Sequence, residues 1–133
     1  MSLSRADMEK CAAVIMLVLL GCATTTQVRD VLELPPPQNV RGVRENGRVT
    51  VTWEASAVKP KEFSGYLLYY SERSLAYVPF ATMPSAVELP ALATEYSFTF
   101  SDSLPVFIQL RSRSGRDHVS LPSLPEVALP PAQ

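Results

Sequence analysis

The cysteines and the histidine are the side chains best suited to chemistry, and the sequence holds few of them. Its 133 residues include 2 Cys and 1 His, too few for a four-ligand zinc site or a disulfide framework. The carboxylates are scattered singly, and no nucleophile-elbow sequence accompanies His118. We therefore expect no catalytic residues, no metal and no enzyme activity, with a small hydrolase as a remote alternative. The thiol of Cys22 remains as a candidate nucleophile, since a thiolate is the most reactive side-chain nucleophile near neutral pH.

The residues before Cys22 have the pattern of a secretory signal. Residues 12–20 are uninterrupted apolar, and Arg5 and Lys10 precede them. A membrane-spanning helix needs about 20 such residues, so this run has the length of a signal-peptide apolar region. Met8 offers a second start for such a signal, and the sequence leaves open whether translation begins there or at Met1.

The end of the apolar run, Leu19-Leu20-Gly21-Cys22, resembles the lipobox of bacterial lipoproteins. The resemblance implies cleavage after Gly21, diacylglyceryl attachment to the Cys22 sulfur, and acylation of the new amino terminus. Several acyl chains anchor a protein stably where one is marginal. The alternatives are a buried cysteine in a short core helix or an ordinary secretory signal that contains cysteine. No cofactor is expected apart from this covalent lipid.

A short tether follows the signal peptide, which we assign to residues 1–21. Residues 22–37 comprise the modified cysteine and a linker that ends in three prolines, which favour an extended polyproline conformation. In enteric bacteria an Asp after the modified Cys favours retention in the inner membrane; Ala23 stands there instead. We therefore expect a lipid-anchored protein of the bacterial cell envelope, at the outer membrane in preference to the inner, facing the periplasm or the cell surface.

From residue 38 onward apolar residues alternate with polar ones, as in β-strands with one buried face. Asn46-Gly47 is typical of a hairpin turn, and Pro79 limits a short candidate strand at residues 77–81 to a sheet edge. A last strand is expected within residues 118–129, broken by Pro122 and Pro125. About seven short antiparallel strands at roughly ten-residue spacing predict an all-β, immunoglobulin-like β-sandwich over residues 38–129, with a tail at 130–133.

Several segments resemble a fibronectin type III domain. They are Pro-Gln-Asn-Val at residues 37–40, Val-Thr-Val-Thr-Trp-Glu at 49–54, Gly-Tyr-Leu-Leu-Tyr-Tyr at 65–70, and Ile-Gln-Leu-Arg-Ser-Arg-Ser-Gly at 108–115. The resemblance implies a core around Trp53. It also implies a tyrosine at the start of the sixth strand, whose hydroxyl forms the hydrogen bond of a tyrosine corner. Val106 occupies that tyrosine position. Another immunoglobulin-like sandwich is the alternative.

Two groups of residues are candidates for binding. If Ile108 and Leu110 face the core, then Leu67, Tyr69 and Phe107 face outward on neighbouring strands, and Arg111 borders them. Tyrosine, phenylalanine and arginine are frequent interface residues, so an exposed partner-binding patch is expected, unless the segment 77–80 or the tether covers it. The second group is the basic cluster of Arg111, Arg113 and Arg116, which suits an anionic lipid, a polysaccharide or an acidic partner, or is a solvated strand face.

Together these features predict a membrane-anchored, non-catalytic binding or scaffold module of an envelope assembly, with an envelope protein or complex as its partner. A carbohydrate- or peptidoglycan-binding module is the alternative, with Tyr69 and Phe107 as aromatic platforms. The formal net charge of −1 argues against nucleic acid as a ligand.

Overall fold

The computed structural model describes residues 34–55, 62–115 and 118–133, which fold into strands joined by turns. The one 3₁₀ turn among them is Phe80–Thr82. In chain order the strands are β1 (Gln38–Glu45), β2 (Arg48–Glu54), β3 (Phe63–Ser71), β4 (Val87–Pro90), β5 (Glu95–Thr99), β6 (Val106–Ser114), β7 (His118–Val119) and β8 (Val127–Leu129).

The strands form two antiparallel sheets that pack face to face. One sheet has the order β1-β2-β5, and the other has the order β4-β3-β6, with β7 and β8 both paired to β6. The predicted all-β sandwich is confirmed. Because β3 pairs along almost the full length of β6, these two strands are the centre of the larger sheet.

The turn between β1 and β2 is the hairpin that the sequence predicts. Asn46 and Gly47 have φ angles of 51° and 74°, as a type I′ turn requires at both central positions. Glu45 pairs with Arg48 directly across it. This local signal fixes the register of the first two strands.

Alternate residues of both sheets meet in the core. Trp53 and Tyr66 are buried, and their rings meet edge to face with centroids 5.4 Å apart. The buried core residues are Val49, Val51, Trp53, Tyr66, Leu68, Leu89, Phe98, Val106, Ile108 and Leu110. At one end of the sandwich Gly42 allows β8 to approach β1, because a Cβ at this position would lie 2.9 Å from Val127 Cγ1.

The register of β6 is as predicted, with Val106, Ile108 and Leu110 facing the core and fully buried. The corner before β6 therefore lacks a tyrosine, and Arg44 of β1 holds it instead. The Arg44 guanidinium donates to the carbonyl oxygens of Ser101, Asp102 and Leu104 at 3.0, 3.3 and 2.8 Å. Its Cζ also lies 5.9 Å from the centroid of the Phe100 ring.

The last strand is interrupted, as predicted, and two serines complete its hydrogen bonding. Ser120 N–H donates to Ser112 O while Ser120 Oγ accepts from Ser112 N–H, both at 2.9 Å. Ser123 makes the same pair of bonds with Leu110, at 2.8 and 3.2 Å. The hydroxyls thus satisfy β6 donors along the stretch where Pro122 and Pro125 interrupt the ladder.

Two features differ from the sequence-based expectations. Residues 77–81 are not an edge strand; they form a turn and the start of the 3₁₀ turn, in which Thr82 N–H donates to Pro79 O. The edge strand is β4, later in the chain. In addition Leu34 and Pro37 are buried, so the end of the predicted tether packs against the domain.

We expect Arg44→Ala to lower the free energy of unfolding by about 1.5–3 kcal/mol, since hydrogen bonds from a charged donor contribute on this scale. For a domain of this size each kcal/mol lowers the Tm by roughly 4–8 °C. Arg44→Lys retains the charge but cannot span three carbonyls, so its loss should be intermediate. Thermal unfolding followed by circular dichroism measures both.

The control for this prediction is Arg41→Ala, which removes an exposed arginine from the same strand. Its effect should stay within about 0.5 kcal/mol. Equal melting temperatures for Arg44→Ala and Arg41→Ala would show that the corner does not depend on the guanidinium.

Candidate functional site

The structure brings the predicted patch residues together but does not leave them exposed. On the outer face of the β3–β6 pair, Leu67 lies opposite Arg111 and Ser71 opposite Phe107. Leu67 and Tyr69 are only 8% and 5% exposed. The expectation that they face solvent is wrong, because the next segment of the chain covers them.

That covering segment is residues 72–86, which connects β3 to β4 and which we call the crossover. Leu75, 3% exposed, packs with Leu67 and Tyr69 as a second, smaller core outside the sandwich. Half-buried apolar residues surround it: Val78, Met83, Ala86 and Val119. Apart from its 3₁₀ turn the crossover has no regular structure, so side chains hold it in place.

Glu126, just before β8, fixes the start of the crossover. Ser74 Oγ donates to Glu126 Oε1 at 2.6 Å, and Leu75 N–H donates to Glu126 Oε2 at 2.7 Å. Both carboxylate oxygens thus accept from the crossover, which ties it to the last segment of the chain. No sequence motif marks Glu126, since the carboxylate and its partners are about fifty positions apart.

Arg111 joins the crossover to β6. Its Cζ lies 5.0 Å from the centroid of the Phe80 ring, in the range of a cation–π contact. Its Nε donates to Gln109 Oε1 at 3.0 Å and one terminal nitrogen donates to Ser120 O at 3.1 Å. The Phe80 ring also meets Tyr69 edge to face at 6.4 Å.

Burial tunes the two ionisable groups of this cluster. It raises the pKa of the Tyr69 phenol, and the nearby Arg111 charge opposes the shift. Burial lowers the pKa of the Arg111 guanidinium, and the coulombic interaction with Tyr69 opposes that shift. At neutral pH the phenol is therefore neutral, and Arg111 keeps its charge.

Several large apolar side chains are exposed on the crossover and on the segment between β7 and β8. Tyr77 is 97% and Phe80 52% exposed in the crossover, and Leu121 and Leu124 are 57% and 82% exposed between β7 and β8. The Arg111 and Glu126 bonds join these two loops. We call the exposed rings of Tyr77 and Phe80, with Arg111 beside Phe80, the crossover surface.

The other residues that the sequence predicts for partner binding are less accessible or lie outside the described chain. Phe107 is half-buried. Arg113 forms an ion pair with Glu88 at 2.7 Å; in the strand register Gly65 lies opposite Arg113, and Leu67 lies opposite Glu88. Arg116 lies outside the described residues. Arg111 and Arg113 point the same way, as predicted, but each is engaged within the domain.

The described ranges hold no candidate metal site. They contain no group of three or more His, Cys, Asp or Glu side chains that could hold a metal ion, and His118 is exposed on β7. Among the same residues no helix is long and apolar enough to cross a membrane. Gly21 and Cys22 of the predicted lipobox lie outside the described part of the chain.

Comparison with known proteins identifies the fold. No family model matches the chain, and no curated protein matches it. Among solved structures, the FN1–FN3 domains of chicken CNTN1 align with a TM-score of 0.58 at 16% identity, covering 75% of this chain and 33% of that one. The Clostridium perfringens spore cortex lytic enzyme SleM aligns with a TM-score of 0.52 at 17% identity, covering 72% of this chain and 28% of that one.

The chain has a fibronectin type III-like fold. The strand orders β1-β2-β5 and β4-β3-β6 and the similarity to the CNTN1 domains agree on this. The chain spans about a third or less of the length of both matched structures, and at these identities the likeness concerns the fold alone.

We expect Glu126→Ala to loosen the crossover, because the Ser74 hydroxyl and the Leu75 amide both lose their acceptor. Hydrogen exchange at the Leu75 amide should accelerate, and the free energy of unfolding should fall by about 1–3 kcal/mol. Glu126→Gln retains one acceptor oxygen, so its free energy of unfolding and its Leu75 exchange rate should lie between those of Glu126→Ala and the parent.

Glu95→Ala is the matched control, since Glu95 is an exposed carboxylate on β5 in the other sheet. It should leave exchange at Leu75 unchanged. If Leu75 exchanges at the parental rate in Glu126→Ala, the carboxylate does not hold the crossover.

Proposed function

We propose that the protein is a lipid-anchored, non-catalytic binding or scaffold module of a bacterial cell-envelope assembly. The observation that carries the proposal is the way the chain joins the domain. Leu34 is 5% exposed, and Ser112 Oγ donates to Pro35 O at 2.8 Å. The sandwich is therefore preceded by a short spacer, residues 23–33, directly after the lipobox cysteine.

The spacer length sets how the module would work. Its eleven residues reach roughly 40 Å when fully extended. A domain joined to the membrane by such a spacer stays within about its own diameter of the bilayer. There it meets envelope partners at high effective concentration. Ala23 after the modified cysteine favours the outer membrane, and the module would face the periplasm or the cell surface.

The use of polar groups in the domain supports a non-catalytic role. Two of the buried serines, Ser120 and Ser123, complete the β6 hydrogen-bond ladder. Glu126 holds the crossover, and Arg113 is paired with Glu88. Each of these groups is engaged in hydrogen bonds or an ion pair that hold the fold together.

A carbohydrate-binding module is the second candidate, and one observation favours it. Tyr77 and Phe80 present exposed aromatic rings, which could stack on sugar faces. Peptidoglycan is the glycan that an envelope lipoprotein would meet.

We expect the parent chain, expressed in a bacterium, to incorporate a palmitate analogue and to float with the membranes on a density gradient. Cys22→Ala should lose both properties, because the thioether cannot form. Ser2→Ala, a substitution away from the lipobox, is the control and should label like the parent. Equal labelling of Cys22→Ala and the parent would contradict the lipid anchor.

Affinity purification from detergent-solubilised envelope should recover a specific protein partner with the parent and much less with Cys22→Ala, which is not held at the bilayer. Sedimentation with insoluble peptidoglycan tests the alternative. Retention on peptidoglycan that Phe80→Ala abolishes, without recovery of a protein, would favour the glycan-binding module.

A further inference from the structure

One side of β1 has no strand partner in the described part of the chain, and we call this side the free edge. β1 pairs with β2 alone, and no further backbone hydrogen bond within the described ranges reaches it. Val43, in the middle of its regular stretch, is 56% exposed. We propose that the free edge pairs with β1 of a second copy of the chain, antiparallel and about a two-fold axis at Val43. The inference does not depend on the lipid anchor.

The hairpin determines which backbone groups of β1 face the free edge. A two-residue turn is closed by a pair that exchanges both of its backbone hydrogen bonds, here Glu45 and Arg48. Such pairs alternate with unbonded pairs along an antiparallel ladder, so Val43 directs its amide and carbonyl toward β2. Gly42 and Arg44 direct theirs toward the free edge, and both residues are partly exposed.

A hydrogen bond on the other side of β2 agrees with this assignment. The same alternation directs the backbone groups of Arg48, Thr50 and Thr52 toward β1 and those of Trp53 toward β5. Trp53 N–H does donate to Thr94 O, at 3.0 Å, just before β5. The free edge therefore offers the N–H and C=O groups of the two alternate residues of β1.

These backbone groups match those of a second β1 when the two-fold axis passes between the two Val43 residues. Gly42 of each copy then lies opposite Arg44 of the other, and each of these pairs exchanges both of its backbone hydrogen bonds. Gly42 brings no side chain, and the Arg44 side chain is turned into its own domain, toward the carbonyls of Ser101 and Leu104. The two valines meet as an unbonded pair, where side chains approach most closely.

Charge selects the same register. Arg41 and Glu45 are exposed on the outer face with Val43, two positions to either side of it. With the axis at Val43, Arg41 of each copy lies opposite Glu45 of the other, so opposite charges flank the valines. An axis at Arg41 or at Glu45 would place like charges opposite each other. An axis at Gly42 or at Arg44 would bring no opposite charges together.

The other sheet edges are less suited to pairing with a second copy. β4 has four residues and ends in Pro90, which has no N–H to donate. β7 and β8 have two and three residues. β5 carries one charged residue, Glu95, and an antiparallel copy centred on Ser97 would place it opposite Thr99. Complementary charge therefore distinguishes β1 from the other edges.

The proposed interface is small, so the dimer should be weak and is best detected by covalent trapping. Its regular part is residues 41–45, because the β1–β2 register shifts between Gln38 and Arg41. An edge of this length buries less than the roughly 1,000 Å² expected of a stable interface. In an unbonded antiparallel pair the Cα atoms lie about 4.5 Å apart, within the range that a disulfide spans. Position 43 is therefore suited to a disulfide across the axis.

The test uses the full chain with Cys11→Ser and Cys22→Ser, which removes both native thiols. Val43→Cys in this background is purified in detergent and oxidised with copper phenanthroline, and the dimer is measured on a non-reducing gel. We expect a dimer fraction several-fold above that of Leu92→Cys, a matched control at a position that is 89% exposed and lies outside β1.

An exchange of charge tests the register. In the Val43→Cys background, Arg41→Glu or Glu45→Arg makes the facing charges alike, so each variant alone should form little disulfide dimer. A mixture of the two variants places an acidic position 41 opposite a basic position 45. Its cross-linking should return to the level of Val43→Cys alone. Circular dichroism confirms that each variant is folded.

Equal cross-linking of Val43→Cys and Leu92→Cys would overturn the inference. Charge variants that cross-link as well alone as in the mixture would also overturn it, because the strands would not meet in this register. A Val43→Cys chain that stays monomeric when purified, but cross-links to another protein in intact envelopes, would identify a different occupant and overturn it too. None of these results bears on the lipid anchor, since Cys22 is replaced throughout.

Discussion

The pairing of β3 with β6 is the interaction on which the rest of the domain depends. These strands pair from Phe63–Ser114 to Ser71–Phe107, and both faces of the pair are buried along much of its length. The inner face, with Tyr66 and Leu68, packs against the β1-β2-β5 sheet. The outer face carries Leu67 and Tyr69, and a two-sheet sandwich has no layer to cover it. Because apolar side chains on that face must leave water, the chain needs a third layer, and the crossover provides it.

A cover made of irregular chain has two physical consequences. Its backbone lacks a ladder, so buried amides need other acceptors, and Glu126 serves Leu75 in this way. The cover also has an outer surface of its own. Phe80 packs against the Tyr69 ring below it, but the Phe80 side chain itself stays 52% exposed to solvent. The proline-interrupted segment beside β6 shows the same two consequences. The hydroxyls of Ser120 and Ser123 accept hydrogen bonds from β6 amides, and the side chains of Leu121 and Leu124 are exposed. The exposed crossover surface therefore results from the way the larger sheet is closed.

The fold was largely predictable from sequence because its signals are local. Alternation placed β2, β3, β5 and β6 and gave the correct inward residues of β6, and Asn46-Gly47 set the first hairpin. The candidate site was less predictable. Alternation correctly placed Leu67 and Tyr69 on the outer face, but it could not show what lies above that face. Leu75 and Glu126 meet only through the tertiary fold, and neither belongs to a periodic pattern. Similarly, the valine at position 106 predicted the loss of the tyrosine-corner hydrogen bond. Arg44 makes the replacing hydrogen bonds, and it lies about sixty positions from its acceptors in the sequence, so no local pattern could show them.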